Sequence, residues 1–234
     1  MADERADYPV GSRLPDPNGS AGFLLTAPFL ATLPVNGVAI SVFDEAGRQS
    51  TIAASNSIAA RLDEVQFDLG DGPHWDALRT AQPVLIPELT SASLSDWPAF
   101  ADAIHGLPVG AFFAFPMFMG AATVGVVDLY CSAPTRFSAK EFGTAIALVS
   151  RVAAAAVREA LQLARNDNAD GVGIEPAMRR EVHQATGMIL VQLGVSATEA
   201  LLRLRAHAFA EGRSVQDVAR DVVARKIDFS ALND

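Results

Sequence analysis

The chain has 234 residues, of which 50% are hydrophobic and 19% are charged. This length allows one or two domains, and the apolar content favours packed cores over disorder. The only cysteine, Cys131, excludes an intramolecular disulfide and a metal site built from several cysteines, and it indicates a reducing compartment.

The net charge of −9 is unevenly distributed along the chain. Residues 1–170 hold 10 basic and 19 acidic residues, whereas residues 171–234 hold 8 of each. Within 178–226 there are 8 basic and 5 acidic residues, which leaves a local excess of +3. A basic segment that follows an acidic one indicates different functions for the two parts, with nucleic-acid binding at the basic end. The alternative is that the basic excess is an ordinary charged surface.

Two long uncharged stretches, 17–43 and 103–127, have to be tested as membrane spans. Pro28 and Pro34 interrupt the first stretch, and two prolines and four glycines interrupt the second. Because a spanning helix must satisfy its own backbone over about 20 residues, we expect neither stretch to cross a membrane. The acidic N-terminus is unlike a signal peptide, so we expect a cytoplasmic protein that makes no membrane contact.

The first half of the chain alternates strand and helix signals. Residues 1–20 are rich in Asp, Pro, Gly and Ser, which is typical of a flexible tail. Apolar residues predict a hairpin of strands 37–43 and 49–55. Short helices are predicted at 57–63, 75–80 and 98–105, with turns at 68–75 and a proline-bounded edge strand at 83–87.

The strongest strand signals are residues 111–119 and 124–131. The first of these strands has large apolar side chains on both faces: Phe113, Phe115, Met117 and Met119 on one, Phe112 and Phe118 on the other. A strand that is apolar on both faces is buried on both, so we expect helices to cover each side of the sheet.

A long helix and then a helical unit are predicted after the sheet. Ser138 and Glu141 form a capping box that opens a helix to about Ala164. Residues 166–173 favour a linker. Beyond it, helix signals and caps predict three helices with short loops, running from Pro176 to Leu193, from Ser196 to about Gly212 and from Ser214 to about Lys226.

Residues 182–223 resemble an ANTAR domain, the RNA-binding helical module of bacterial transcription antiterminators. The elements that carry this resemblance, in order, are Gln184–Leu190, Gly194–Ser196, Glu199-Ala200, Leu204–Ala206, Arg213 and Val218-Ala219.

Residues 37–157 resemble a GAF domain through Gly70–Ala77, Pro83-Val84 and Gly125–Tyr130. The resemblance implies an α+β fold, in which a PAS-like antiparallel sheet with flanking helices precedes a C-terminal three-helix ANTAR module. The expected boundaries are a tail at 1–20, the sensor at 21–165, a linker at 166–173 and the ANTAR domain at 174–228.

This family order implies a regulator rather than an enzyme. The GAF domain would sense a small-molecule effector or mediate dimerisation through the long helix. The ANTAR domain would bind stem-loop RNA of a nascent transcript, so that RNA polymerase reads through a terminator. The alternative is a ligand-binding or protein-interaction module that has lost RNA binding. No catalytic motif, cofactor or metal ligand spacing is expected in either case.

The resemblance implies RNA contacts from the helical module. Arg205 and Arg213 occupy matched positions, and the alternative for each is a solvated helix face carrying ion pairs. Thr186, Gln192 and Ser214 are neutral where the family often has cations, which would weaken RNA binding. The expected contacts are Arg205, Arg213, Gln184, Thr186, Arg179, Arg180 and Arg220.

A ligand pocket is predicted in the sensor, on the sheet face that carries Phe113, Phe115 and Met117. The segment that holds His74 and Trp75 would close this pocket. The alternative is that the aromatic face is simply core and that His74, placed in a turn, lies at the surface. Covalent attachment of a bilin to Cys131 is not expected, because that residue lies inside a strand.

Overall fold

The computed structural model describes residues 20–44, 49–170 and 177–232. Its five strands are β1 (Gly37–Phe43), β2 (Gln49–Ala54), β3 (Val84–Ile86), β4 (Ala111–Met119) and β5 (Ala122–Cys131). Its helices are α1 (Ser20–Thr32), α2 (Ser57–Leu69), α3 (Pro73–Thr80), α4 (Pro98–Ala103), α5 (Ala139–Asp170), α6 (Ala177–Leu193), α7 (Ala197–Ala210) and α8 (Val215–Val223), followed by a short 3-10 helix (Ser230–Leu232).

The strands form one antiparallel sheet in the order β2-β1-β5-β4-β3. The predicted hairpin of β1 and β2 is confirmed, although residues 45–48 of its turn lie outside the described residues. The predicted edge position of β3 is also confirmed. Its flanking Pro83 and Pro87 cannot donate to a sheet ladder, which suits an edge.

Helices cover both faces of the sheet, as its doubly apolar strands predicted. Phe113, Phe115 and Met117 belong to a core shared with α1 and α5. Phe112 and Ala114 alternate with them and belong to a second core, shared with α2, α3 and α4. The period of two along β4 therefore divides its side chains between two separate cores.

Helix α1 was not predicted, because Pro28 was expected to break any helix there. The helix contains Pro28 and is held by Leu25 and Phe29, which are buried in the first core. Proline removes one hydrogen bond, to the carbonyl four residues earlier, at Leu24. The side chain of Leu24 is exposed, so water can reach this part of the helix and replace the lost donor.

Several other boundaries differ from the prediction, and the differences are largest at α2 and α5. Helix α2 runs to Leu69 and ends at Gly70, whose φ of 65° suits a residue without a side chain. Helix α5 opens with the predicted Ser138–Glu141 capping box but continues through residues 166–170 of the expected linker. Adding a turn to an existing helix costs less than starting one, which explains the extension. Residues 171–173 and the tail 1–19 lie outside the described residues.

Helices α6, α7 and α8 form the predicted three-helix module. Ser196 and Ser214 cap α7 and α8, each accepting a hydrogen bond from the backbone N–H three residues later. The core of the module consists of Val182, Ala185, Ile189, Ala200, Leu204, Ala208, Val215, Val218, Ala219, Val222 and Phe229, together with Phe67 from α2.

In the described ranges, no single helix is both long and apolar enough to cross a membrane. One pair of helices, Glu181–Leu193 and Ala197–Ala210, passes the same test of length and composition together but is bent by 106°.

Candidate functional site

The guanidinium of Arg205 lies between the helical module and the sheet domain. Its Nη2 donates a hydrogen bond of 2.7 Å to the backbone carbonyl of Phe67. The guanidinium carbon lies 5.3 Å from the ring centre of Phe67 and 5.6 Å from that of Trp75. Both distances are within the range of cation–π attraction. In this conformation the best-matched arginine faces the sheet domain rather than solvent.

Phe67 and Asp68, both on α2, complete this interface. The side chain of Phe67 is only 5% exposed and packs into the core of the helical module. The carboxyl group of Asp68 accepts a hydrogen bond from the backbone N–H of Val215, the first residue of α8. We call Phe67, Asp68, Trp75, Arg205 and Val215 the interdomain contact.

The pKa of Asp68 is raised to about 7. Burial is the largest cause, and the neighbouring carboxylate of Glu64 adds to it. The N–H of Val215 and the guanidinium groups of Arg61 and Arg205 act in the opposite direction. Asp68 is thus a titratable group within the interdomain contact whose charge changes near neutral pH.

Arg213 is engaged by acidic groups of its own module. Its guanidinium lies 3.1 Å from a carboxylate oxygen of Glu211 and 2.5 Å from one of Asp221, and it also donates to the carbonyl of Asp217. These hydrogen bonds raise the pKa of Arg213 and lower that of Asp221. Arg220 is likewise paired, at 2.9 Å with Asp217 and at 3.5 Å with Glu181.

Thr186 does not have the geometry of an RNA contact. Its side chain is buried, and its hydroxyl donates a 2.7 Å hydrogen bond to the carbonyl of Val182 on the same helix. Helical periodicity places Thr186 on the same face of α6 as the core residues Val182 and Ile189. Arg179 and Arg180 lie in the first turn of α6, and their side chains are outside the described part of the structure.

Gln184 is exposed and lines a groove of about 530 Å³ on the surface of the helical module. Gly187, Met188 and Val191 of α6 line the same groove, and Arg225 reaches it from the segment after α8. Among the described residues, no acidic side chain forms an ion pair with the guanidinium of Arg225. Sequence reasoning missed Arg225 because it stands beyond the last matched motif, and only its positive charge marked it.

The predicted ligand pocket is not formed. Phe113 packs in a stacked geometry on Phe137, 4.2 Å between ring centres, in the core beneath α1 and α5. His74 and Trp75 lie on α3, which packs against the opposite face of the sheet. Phe115 and Met117 lie with Phe113, so the two halves of the predicted pocket face away from each other.

His74 is buried within a polar cluster rather than lying at the surface. Its Nδ1 is 2.8 Å from Oδ2 of Asp128, a residue of β5. Gln66 donates to the same oxygen at 3.3 Å and accepts a hydrogen bond from the backbone N–H of His74. Burial raises the pKa of Asp128, although His74 opposes this shift.

Asp63 on α2 lies beside this pair. Its two carboxylate oxygens accept hydrogen bonds from Ser41 at 2.6 Å, Gln49 at 3.0 Å and Thr51 at 2.5 Å. We call Asp63, His74 and Asp128, with their donors Ser41, Gln49, Thr51 and Gln66, the buried polar cluster. The sequence signal for it was a single acidic residue, Asp128, inside an otherwise apolar strand.

The buried polar cluster adjoins the interdomain contact. Gln66 belongs to the cluster, and its backbone carbonyl accepts a 2.7 Å hydrogen bond from Nε1 of Trp75. Trp75 in turn packs against Arg205. One short chain of contacts therefore connects the interior of the sheet domain with a matched arginine of the helical module.

Comparisons with known families agree with this architecture. The GAF domain family matches residues 30–157, which is more than half of the 234-residue chain, and the ANTAR domain family matches residues 175–223. Both are regulatory rather than catalytic domains, and their combination defines a signalling regulator. The chain belongs to the GAF domain family and carries an ANTAR domain at its C-terminal end.

Two solved structures are similar to part of the chain. A domain of a sensor histidine kinase from Sinorhizobium meliloti 1021 is 20% identical, with a TM-score of 0.47, over 64% of this chain and 96% of that one. The GAF region of a membrane protein from Geobacter sulfurreducens PCA is 12% identical, with a TM-score of 0.48, over 60% and 92%. No curated protein matches the chain.

Proposed function

We propose that this protein is a cytoplasmic transcription antiterminator, in which the GAF domain receives a signal and the ANTAR domain binds stem-loop RNA of a nascent transcript. The observation that carries the proposal is the ANTAR match over residues 175–223, on a folded and capped three-helix module. Basic side chains hold RNA phosphates, while unstacked loop bases provide specificity.

The groove of α6 is the surface we assign to RNA in the conformation described here. Gln184 supplies an amide that can donate and accept hydrogen bonds, and Gly187 leaves room for close approach of a backbone. Arg225 supplies a cation at the same groove. Arg179 and Arg180, at the start of α6, and Arg220 remain proposed contacts.

Arg205 is proposed to reach RNA only when the helical module leaves the sheet domain. Its hydrogen bond to Phe67 and its stacking on Trp75 compete with any phosphate contact. The docked conformation is therefore proposed to bind RNA weakly, and undocking is proposed to be the regulated step. Asp221 and Glu211, the ion-pair partners of Arg213, compete in the same way with RNA phosphates for its guanidinium.

A direct test is the retention of a two-hairpin RNA by the full-length protein at low and moderate salt. We expect retention to fall steeply with salt, as phosphate contacts require. Arg225→Glu should lower the affinity about tenfold and flatten the salt dependence, whereas Arg136→Glu, at an exposed arginine between β5 and α5, should leave both unchanged. Equal binding by wild type and Arg225→Glu would contradict the assigned groove.

The role of docking is tested with a pair of variants at Trp75. Trp75→Ala removes the aromatic face under Arg205, a loss of about 0.5–2 kcal/mol for the docked state. It should raise RNA affinity several-fold. Trp75→Phe loses the same hydrogen bond to Gln66 but keeps an aromatic face, so it should stay close to wild type.

The second candidate function is a protein-interaction or ligand-binding module that no longer binds RNA. The engagement of Arg205 and Arg213 and the burial of Thr186 favour this reading. Its discriminating result is the absence of RNA retention by wild type and by Trp75→Ala, even at low salt.

We further infer that the protein is a homodimer that pairs through α5. Ile146 and Leu161 are large apolar residues exposed on this helix. Light scattering after size exclusion should show a dimer, and Leu161→Glu should convert it to a monomer. The matched control is Leu202→Glu, an exposed leucine on α7, which should leave the mass unchanged.

A further inference from the structure

The buried polar cluster brings three metal-binding side chains together from three separate elements. Asp63 lies on α2, His74 on α3 and Asp128 on β5, and their side chains are 2%, 1% and 4% exposed. One ligand atom from each residue lies within 4.8 Å of the other two. Because each side chain comes from a different packed element, the fold holds this arrangement in place.

The buried polar cluster contains two acidic side chains but only one side chain, His74, that can carry a positive charge. Two carboxylates lie in the interior, and their hydrogen-bond donors include the neutral hydroxyls of Ser41 and Thr51 and the amides of Gln49 and Gln66. Buried carboxylates are costly unless a positive charge balances them. A protonated imidazole balances only one carboxylate, whereas a divalent ion balances both.

Buried acceptor oxygens without hydrogen-bond donors also favour a bound cation at the cluster. Oδ1 of Asp128 is buried and has no hydrogen-bond partner among the described residues. The same is true of Oε1 of Gln49, whose amide nitrogen donates to Asp63. Buried acceptor oxygens without donors are rare, because each loses its hydration without compensation. A metal ion bound by Oδ1 of Asp128 would remove that loss at this oxygen.

We propose that Asp63, His74 and Asp128 form a binding site for one first-row divalent metal ion, such as Zn²⁺, Mn²⁺ or Fe²⁺. One imidazole and two carboxylates form a mixed nitrogen and oxygen set that suits these ions better than Ca²⁺ or Mg²⁺. Nδ1 of His74 and Oδ2 of Asp128 are 2.8 Å apart and share a hydrogen bond, whose proton a bound ion would replace.

The remaining polar residues of the cluster have the placement of supporting donors. Ser41 and Thr51 hold Asp63, and Gln66 holds Asp128, so both carboxylates are fixed near His74. Metal ligands are commonly fixed by such outer hydrogen bonds.

A metal ion at this site would lie next to the contacts that join the sheet domain to the helical module. His74 and Trp75 are adjacent in α3, and the hydrogen bond from Trp75 to Gln66 joins the cluster to the residue that stacks on Arg205. A divalent metal ion is thus the proposed effector class of the sensor, an extension that rests on the proposed RNA-binding function. Metal binding itself is measured without RNA, so failure of either proposal is recognised separately.

The test begins with full-length protein stripped of metal by a chelator and titrated with Zn²⁺ or Co²⁺. We expect one ion per chain, and visible absorption bands when the ion is Co²⁺. His74→Gln and Asp128→Asn should each weaken binding at least tenfold, whereas His105→Gln, an exposed histidine outside the cluster, should leave it unchanged. Wild type that binds no ion, or equal losses in all three variants, overturns the proposal.

His74→Gln and Asp128→Asn change buried residues, and either variant can fail to fold. X-ray absorption of the Zn²⁺-loaded wild type tests the proposal without them. The expected coordination shell contains only nitrogen and oxygen at about 2.0–2.2 Å and a single imidazole. A sulfur ligand, which would come from Cys131, or two or more imidazoles would place the ion elsewhere and overturn the proposal.

Discussion

At the scale of single residues, a cation on a helix surface has to be judged by what its side chain reaches. Arg205 carries the charge that RNA binding needs, yet a carbonyl and two aromatic rings of the sheet domain surround its guanidinium. Guanidinium is planar and weakly hydrated, so it stacks on aromatic rings at little cost. The same properties that suit arginine to RNA thus allow the sheet domain to compete for it.

Asp68 makes the interdomain contact sensitive to pH. Its pKa of about 7 lies above the ordinary value of 3.8, so docking favours the protonated form. The stabilisation it provides is complete below pH 3.8 and declines as the pH rises, until the group is ionised above about 7. We expect the amide resonance of Val215 to titrate near pH 7 in the full-length protein.

Asp68→Asn is the matched variant for this titration. It keeps an oxygen acceptor for the N–H of Val215 but cannot ionise, so the resonance should become independent of pH between 5 and about 9. A wild-type midpoint near 4 would mean that Asp68 is solvated and contributes no pH dependence to docking.

At the scale of elements, the functional groups lie at the ends of helices. The C-terminal end of α2 supplies the carbonyl of Phe67, the carboxyl group of Asp68 and the glycine that ends the helix. The N-terminus of α8 supplies the backbone N–H that meets Asp68. Helix ends expose backbone groups without intrahelical partners, so two such ends can bind each other across a domain boundary.

Gly70 is the element boundary most sensitive to substitution. Its φ is +65°, and a Cβ placed there would lie 2.5 Å from Nη1 of Arg205. Gly70→Ala should cost about 1–2 kcal/mol of stability through the backbone and should also displace Arg205. The expected result is lower stability together with a loosened interdomain contact, measured by hydrogen exchange of α7.

Gly120→Ala separates these two effects. Gly120 has a φ of +61°, and nothing lies within 4 Å of its Cβ position. It should therefore show the backbone cost without any change in the exchange of α7. If both variants change α7 equally, the contact of Arg205 with the end of α2 is not what protects that helix.

At the scale of the whole molecule, the described residues form three hydrophobic cores. Two of them share the sheet and lie on its opposite faces, so the helices on either side depend on the same strands. The third belongs to the helical module and takes in one side chain from the sheet domain, Phe67. The stability of the helical module is therefore linked to the sheet domain through Phe67 and its neighbours.

Phe67→Ala tests this link. Removing a buried aromatic ring costs about 3–5 kcal/mol, and we expect the loss to appear in the helical module although the residue belongs to α2. Denaturant unfolding combined with hydrogen exchange of α6 to α8 measures it. Phe209→Ala, at an exposed phenylalanine of α7, is the control and should change stability by less than about 0.5 kcal/mol. Equal protection of the module in wild type and Phe67→Ala would show that it is stable without the sensor.

Much of the fold was predictable from local patterns. Runs of apolar residues located β1, β4 and β5, and the serine caps located the starts of α7 and α8. Helix α1 was missed because Pro28 is a strong local signal against helix, while the burial of Leu25 and Phe29 that outweighs it depends on distant residues. The predicted pocket failed for a related reason, since periodicity reveals that two faces exist but not which helix covers each.

The sequence by itself determined the two-domain architecture, the doubly covered sheet and the capped helical module, because periodicity, capping and charge act between near neighbours. Only the tertiary structure decided where the functional groups meet. Asp63, His74 and Asp128 are brought together by the packing of two helices on a strand, and Arg205 finds Phe67 across 138 positions of the chain. Such contacts depend on how whole elements pack, and no local pattern of residues encodes that packing.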